Sequence, residues 1–103
     1  MKKILAIDPG PIESAYVVWN GHVVQAKGKE DNSEVLNRVK FSSYTEMAIE
    51  MVACYGMAVG KDVFETAYWI GRFTQATNRP FTRVYRMDVR CTFATLQGPK
   101  TVI

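Results

Sequence analysis

Two β-rich runs that flank Asn20-Gly21 constrain the fold of this chain more than any other feature. The run SAYVVW ends at Trp19, and the run HVVQAK begins at His22. Asn-Gly between two such runs is the strongest short signal for a two-residue β-hairpin. We therefore predict that the second and third strands pair antiparallel. The polar residues 28–32 that follow are predicted to be irregular.

A helix and a strand are predicted next along the chain. SEVLNRVK places its apolar residues on one helical face, and Asp31 and Glu34 suit the start of that helix. YTEMAIEMV, residues 44–52, is typical of a largely buried strand. The helix is therefore predicted to connect the hairpin to a fourth strand.

The last third of the chain is predicted to hold one more helix and one more strand. The helix begins near Lys61 and ends at residues 78–80, where Asn-Arg-Pro stops it. TRVYRM, residues 82–87, follows as a strand, and residues 88–103 are predicted as a short helix or an irregular tail.

This order of elements predicts an α/β fold. The opening run KKILAI is typical of a strand covered on both faces. A hairpin on one side, with right-handed crossovers on the other, gives a mixed sheet of about five strands in which the first, fourth and fifth are parallel. With 103 residues, the chain is expected to form one domain, residues 1–103, with one site.

Composition narrows the class of protein. The sequence contains no apolar run of about 18 residues, so neither a membrane span nor a secretion signal is expected. Cys54 and Cys91 fit neither a metal-ligand spacing nor a disulfide framework, which favours small core residues and the reducing cytoplasm. Residues 1–60 hold six Lys or Arg and seven acids. Residues 61–103 hold seven Lys or Arg and three acids. The excess of basic residues in the second part is typical of a protein that binds phosphate backbones. An ordinary solvated surface gives similar numbers of charged residues.

Three acids come at or near the ends of the predicted parallel strands. Asp8 follows KKILAI, Glu50 comes late in the fourth strand, and Asp88 follows TRVYRM. The carboxyl ends of parallel strands meet at one edge of a sheet, where ligand sites form. Neighbouring strands lie about 4.8 Å apart, so two such carboxylates repel and favour a proton or a hard cation. Oxygen ligands without His or Cys suit Mg²⁺ or Mn²⁺.

Each of these acids also has a simpler interpretation. Asp8 ends the strand and accepts backbone hydrogen bonds in the turn at Pro-Gly, and Asp88 caps a helix or a turn. Glu50 is a strand residue that reaches solvent, although the apolar residues around it in IEMVAC make an ionised group costly unless a metal or a donor compensates it. Asp62 and Glu65 suit the positive end of the dipole of the second helix.

Two stretches of the chain resemble a known family. ILAIDPGPIESAYVVW and IEMVACYGMAVGKDVFETAYWIGRF are similar, in order and spacing, to the RuvC-like Holliday-junction resolvases of the ribonuclease-H-like superfamily, particularly phage-type members. The resemblance covers most of residues 3–90. It implies a ribonuclease-H-like mixed sheet with flanking helices. It also implies an endonuclease that hydrolyses phosphodiester bonds in branched DNA as a homodimer, with two Mg²⁺ or Mn²⁺ ions. Asp8 and Glu50 match the metal-binding aspartate and glutamate of the family.

The chain departs from the family pattern near its C-terminal end. Such resolvases complete the site with one or two aspartates on a C-terminal helix, yet no residue after Asp88 is acidic. Three explanations stay open: the chain is a shortened relative of the family, it is a gene fragment, or another acid takes the place of the missing aspartates. Asp88 is the preferred substitute, ahead of Asp62 and Glu65. A second hypothesis, from another class, is a catalytically incomplete nucleic-acid-binding or oligomerisation module that keeps only the fold.

Basic and aromatic residues provide candidate DNA contacts. Phosphate contacts are predicted for four basic residues: Lys61, Arg72, Arg83 and Arg86. Three aromatic residues are candidates for stacking on bases: Tyr55, Trp69 and Phe73. Packing against the sheet explains Trp69 and Phe73 better. His22, which follows the hairpin turn, is expected to be exposed.

Overall fold

The computed structural model of this chain describes residues 2–52 and 59–85. The described strands are β1 (Ile4–Asp8), β2 (Glu13–Trp19), β3 (Val24–Asp31), β4 (Glu46–Met51) and β5 (Phe81–Tyr85), and the helices are α1 (Asn32–Phe41) and α2 (Lys61–Ala76). Five residues for which the sequence predicts a role lie outside the described ranges: Cys54, Tyr55, Arg86, Asp88 and Cys91. No described helix combines the length and the apolar character needed to cross a membrane.

The five strands form one mixed sheet in the order β3-β2-β1-β4-β5. β1 pairs antiparallel with β2 and parallel with β4, and β4 pairs parallel with β5. α1 carries the chain from β3 past β2 and β1 to β4, and α2 is the crossover from β4 to β5. The predicted α/β class, with a hairpin and three parallel strands, is confirmed.

The hairpin between β2 and β3 is antiparallel as predicted, but the two-residue turn is wrong. β2 ends at Trp19 and β3 begins at Val24, so four residues connect them. The Asn20 side chain explains the longer turn: its Oδ1 accepts hydrogen bonds from the backbone N–H groups of His22 and Val23 at 2.9 and 3.0 Å. Gly21 adopts a φ of 99°, a conformation that glycine adopts readily.

The prediction that residues 28–32 are irregular is also wrong. Residues 28–31 extend β3, and Asn32 begins α1. Backbone pairing with β2 overrides the polar composition, because β3 is an edge strand on which charged residues are tolerated. Gly28 pairs with Tyr16, and a Cβ at position 28 would lie 3.1 Å from the Tyr16 ring. Glycine therefore makes room for the buried aromatic ring.

The helices and the sheet share one core. Buried apolar side chains come from both layers: Leu5, Ile7, Met47 and Ile49 from the strands, and Val35, Leu36, Val39, Ile70 and Phe73 from the helices. Ile4 and Ala6 alternate with Leu5 and Ile7 and are only half-buried, so β1 is not covered on both faces as predicted. Phe73 is fully buried and Trp69 packs against the core, which confirms the packing interpretation of both. His22 is exposed, as expected.

A charged pair joins α1 to the edge of the sheet. Arg38 donates through Nε and Nη2 to the two carboxylate oxygens of Glu30 at 2.7 and 2.8 Å. The same guanidinium lies 4.2 Å from the centroid of the Tyr16 ring. The hydrogen bond from Arg38 holds the pKa of Glu30 below its usual value of 4.5. Since both side chains are partly exposed, the pair contributes up to about 1 kcal/mol.

We expect Glu30→Gln to lower the free energy of unfolding by up to about 1 kcal/mol near neutral pH. Because the folded-state pKa of Glu30 is lowered, this contribution is present above pH 4.5 and is lost as the pH falls through the folded-state value. Urea unfolding of parent and variant between about pH 7 and about pH 3 measures the difference, which should shrink on acidification.

The matched control is Glu13→Gln. Glu13 lies 3.9 Å from Lys29 Nζ in a more exposed pair, so its substitution should change the free energy of unfolding very little. A Glu30→Gln effect that stays constant with pH would contradict the ion-pair explanation.

Candidate metal site at the carboxyl edge of the sheet

Asp8 is the last residue of β1 and points to the face of the sheet opposite the core. Side chains alternate along a strand, and Leu5 and Ile7 are buried under the helices. Asp8 therefore shares a face with Ile4 and Ala6, and it is exposed. We call this side, which neither described helix covers, the open face. The edge at which β1, β4 and β5 end is called the carboxyl edge.

Glu50 comes beside Asp8 on the neighbouring parallel strand. Ile7 of β1 pairs with Ile49 of β4, and the next residues along the two strands are Asp8 and Glu50. Ile49 is fully buried in the core, so Glu50 points to the open face, as Asp8 does. Adjacent strands lie about 4.8 Å apart. The structure thus places these two predicted carboxylates together, from distant parts of the sequence.

The two residues that flank Glu50 in the sequence point to the other face of the sheet. Ile49 and Met51 pack with the core on the other face of the sheet. On the open face Glu50 is half-buried, and its partner on β5 is Val84. Ala53 and Cys54 of IEMVAC lie outside the described residues, so the expectation that an ionised Glu50 is costly there stays a prediction.

Two carboxylates on adjacent strands suit a divalent cation. Like charges at this separation repel, and a proton, a cationic group or a metal ion relieves the repulsion. Mg²⁺ in proteins is commonly held by one or two carboxylates, with phosphates and waters completing its shell. Asp8 and Glu50 fit this donor set for one ion. Within residues 2–52 and 59–85, no three His, Cys, Asp or Glu side chains converge on one point.

Each carboxylate lines its own hollow on the protein surface. Asp8 borders a hollow of about 350 Å³ together with residues 9–13, Ala15 and Lys29. Glu50 borders another, of about 320 Å³, that is lined by Ala6, Ile7, Ala48, Ile49, Val84 and Tyr85. Because Asp8 and Glu50 are neighbours, the two hollows flank the carboxylate pair.

Sequence reasoning missed two charged residues on the same face. Asp8 pairs with Ala15, and Ala15 pairs with Lys29, so Lys29 points to the open face two strands from Asp8. Glu13 shares that face, and its Oε2 lies 3.9 Å from Lys29 Nζ. The signal that would have found Lys29 is the alternation along β3. The sequence analysis does not use this alternation, because it predicts residues 28–32 to be irregular.

Of the four predicted phosphate contacts, the three that the structure describes are not gathered around the carboxylates, and Arg86 lies outside the described residues. Arg72 lies on α2, on the covered side of the sheet, with its guanidinium 4.4 Å from the centroid of the Trp69 ring. Arg83 pairs with the buried Ile49, so it points to the same covered side. Lys61 is exposed at the first residue of α2, which follows β4. Of the described three, Lys61 alone begins an element at the carboxyl edge.

The remaining predicted acids are placed as follows. Asp62 lies in the first turn of α2, as the interpretation through the helix dipole predicts, and Glu65 follows one turn later. Both side chains are exposed on the helix. Asp88 lies outside the described residues, so its role as a substitute ligand stays a prediction.

Comparisons with known proteins assign no family to this chain. No family model matches it, and a search of curated proteins gave no match. Function is therefore inferred from the topology of the sheet and from the positions of Asp8 and Glu50.

Proposed function

We propose that this chain is a RuvC-like, metal-dependent endonuclease of ribonuclease-H-like fold that acts on branched DNA in the cytoplasm. The observation that carries the proposal is the placement of Asp8 and Glu50 on adjacent parallel strands, with both side chains on the open face. The order β3-β2-β1-β4-β5, with a hairpin at one side, agrees with the sheet that the resemblance implies. Since one fold serves many functions, the carboxylate pair is the stronger support.

The two carboxylates would hold one Mg²⁺ or Mn²⁺ against a DNA phosphate. Asp8 ends a central strand and Glu50 lies on its neighbour, so the sheet fixes the separation of their backbones before DNA binds. When bound, the cation polarises the phosphoryl oxygens and lowers the pKa of the attacking water. The open face leaves room for the DNA backbone to approach both side chains.

Lys29 gives this face a positive charge near the carboxylates. Its side chain points to the open face and is largely exposed, in a long ion pair with Glu13. An exposed pair at 3.9 Å is weak, so a DNA phosphate can compete with Glu13 for the ammonium group. We therefore add Lys29 to the proposed phosphate contacts. A second copy of the chain would act on the symmetric strand of a junction, as the resemblance implies.

A second candidate is a binding or oligomerisation module that does not hydrolyse DNA. One observation favours it: among the described residues, Asp8 and Glu50 are not joined by a third converging ligand. Two-metal hydrolysis needs ligands for ions about 3.5 to 4 Å apart. A module of this kind would bind a junction and leave it intact.

Cleavage of a synthetic four-way junction separates these two functions. With Mg²⁺ or Mn²⁺, the parent protein is expected to cut the junction and to spare a linear duplex of the same sequence, and EDTA should abolish cutting. Binding is measured on the same DNA by fluorescence anisotropy. Binding without cutting would support the module. A protein that neither binds nor cuts the junction would overturn the nuclease and the DNA-binding module, and would leave a likeness of fold with oligomerisation as the remaining role.

A further inference from the structure

Two fully buried polar side chains lie next to the turn that follows Asp8. Ser14 on β2 and Asn32 at the start of α1 are each 1% exposed. Burying a polar group is costly unless hydrogen bonds satisfy it. In the described part of the chain, every buried polar side-chain atom has such a partner. Asn32 and Ser14 meet this requirement through each other and through the turn.

Their hydrogen bonds form a closed ring with the backbone of Gly10. The Gly10 N–H donates to Ser14 Oγ at 3.1 Å, and the Ser14 hydroxyl donates to Asn32 Oδ1. Asn32 Nδ2 donates in turn to the Gly10 carbonyl oxygen at 3.0 Å. The backbone N–H of Asn32 donates to the carbonyl oxygen of Ile12 at 2.9 Å, which ties the same helix terminus to the turn a second time.

The turn is also tight at Gly10. A Cβ at this position would collide with the carbonyl oxygen of Glu13, so only glycine fits the observed path of the backbone. The ring thus joins β2, the start of α1 and the segment directly after β1. A buried network in which every polar group is hydrogen-bonded fixes one local geometry, because breaking any of its hydrogen bonds costs free energy.

We propose that Ser14 and Asn32 are positioning residues for Asp8: their ring with Gly10, two residues beyond Asp8, holds the end of β1 so that the Asp8 carboxylate stays beside Glu50. This inference rests on the proposed function, because it needs a cation at the carboxylate pair. Ser14 and Asn32 do not touch the cation themselves. They act on Asp8 through the backbone of the turn.

Mn²⁺ binding, followed by electron paramagnetic resonance of the free ion, tests this role without an activity assay. Ser14→Ala leaves the Gly10 N–H and Asn32 Oδ1 without their partner. We expect it to weaken Mn²⁺ binding about tenfold, the lower end of the effect seen when groups that orient metal ligands are removed. Ser14→Thr keeps the hydroxyl and should bind within about twofold of the parent.

Tyr44→Phe is the matched control. The Tyr44 hydroxyl is also buried, with Val39 O and Thr77 Oγ1 both at 2.6 Å, but Tyr44 precedes β4 and so lies at the opposite edge of the sheet. Both Ser14→Ala and Tyr44→Phe should lower the melting temperature, because each removes a buried hydrogen bond. Only Ser14→Ala should weaken Mn²⁺ binding.

The outcomes separate this inference from the proposed function. A parent protein that binds no Mn²⁺ would overturn the metal site, and the positioning role with it. A parent that binds, with Ser14→Ala binding as tightly as Tyr44→Phe, would overturn the positioning role alone. Should Ser14→Ala fail to fold, Asn32→Ala removes both side-chain hydrogen bonds of Asn32 without adding a charge near the carboxylates, and the same comparison applies to it.

Discussion

Asp8→Asn is expected to reduce cleavage of a four-way junction by at least about 10³-fold, which corresponds to about 4 kcal/mol of transition-state stabilisation. The amide keeps the shape of the side chain but removes the charge that holds a divalent cation. Because Asp8 is exposed at the end of β1, the folded structure should tolerate the change. Single-turnover cleavage with saturating protein measures the loss, and junction binding measured alongside shows whether the variant still recognises DNA.

Asp31→Asn is the matched control for Asp8→Asn. Asp31 is also the exposed last residue of a strand, β3, and it pairs with Glu13 on the open face. Asn is as good as Asp at the start of a helix, so α1 should be unaffected. We expect cleavage by Asp31→Asn to stay within about threefold of the parent. Comparable losses in the two variants would mean that general surface charge, and not the carboxylate pair, supports the reaction.

Glu50→Gln should resemble Asp8→Asn, because both side chains serve one site. Residues that act as a unit give non-additive effects on rate. The double variant Asp8→Asn with Glu50→Gln is therefore expected to be only slightly slower than either single variant. If the rate of the double variant falls by the product of the two single-variant losses, the two carboxylates act independently. That result would contradict a shared cation.

Phe73→Ala is expected to lower the free energy of unfolding by about 3 to 5 kcal/mol. Phe73 is fully buried between α2 and the sheet, and its truncation leaves a cavity that the rigid β-sheet fills poorly. Such a loss is a large part of the total stability of a domain of this size. Denaturant unfolding followed by circular dichroism measures it.

Phe64→Ala on the same helix is the control for Phe73→Ala. Phe64 is 66% exposed, so its removal should change the free energy of unfolding by no more than about 0.5 kcal/mol. Equal effects at the two positions would mean that α2 packs through a different face. Retained stability in Phe73→Ala would favour the rejected interpretation of Phe73 as a DNA-stacking residue.

The topology was predictable because each connection carries a strong local signal. Asn20-Gly21 between two β-rich runs indicated an antiparallel pair, and single helices before β4 and β5 indicated crossovers. The turn length was not predictable, because it depends on the hydrogen bonds that the Asn20 side chain accepts. The extent of β3 was missed because pairing with β2 outweighs a polar composition at an edge strand.

The candidate site was predictable only in part. Asp8 and Glu50 were placed together from the rule that parallel strands end at one edge. The face on which Glu50 lies follows from the alternation along β4, which points Ile49 and Met51 to the other side of the sheet. The contact between Ser14 and Asn32 depends on how β2, α1 and the turn at Gly10 meet, and no local pattern in the sequence encodes it.

The most direct test of the carboxylate pair is a Mn²⁺ titration followed by the backbone amide signals in two-dimensional NMR. Paramagnetic broadening should begin at Asp8 and Glu50 and their neighbours at substoichiometric Mn²⁺, and it should disappear from these positions in Asp8→Asn and in Glu50→Gln. Broadening that begins elsewhere, for example around Asp31 or Asp62, or that persists at Asp8 and Glu50 in both variants, would contradict a cation held between these two side chains.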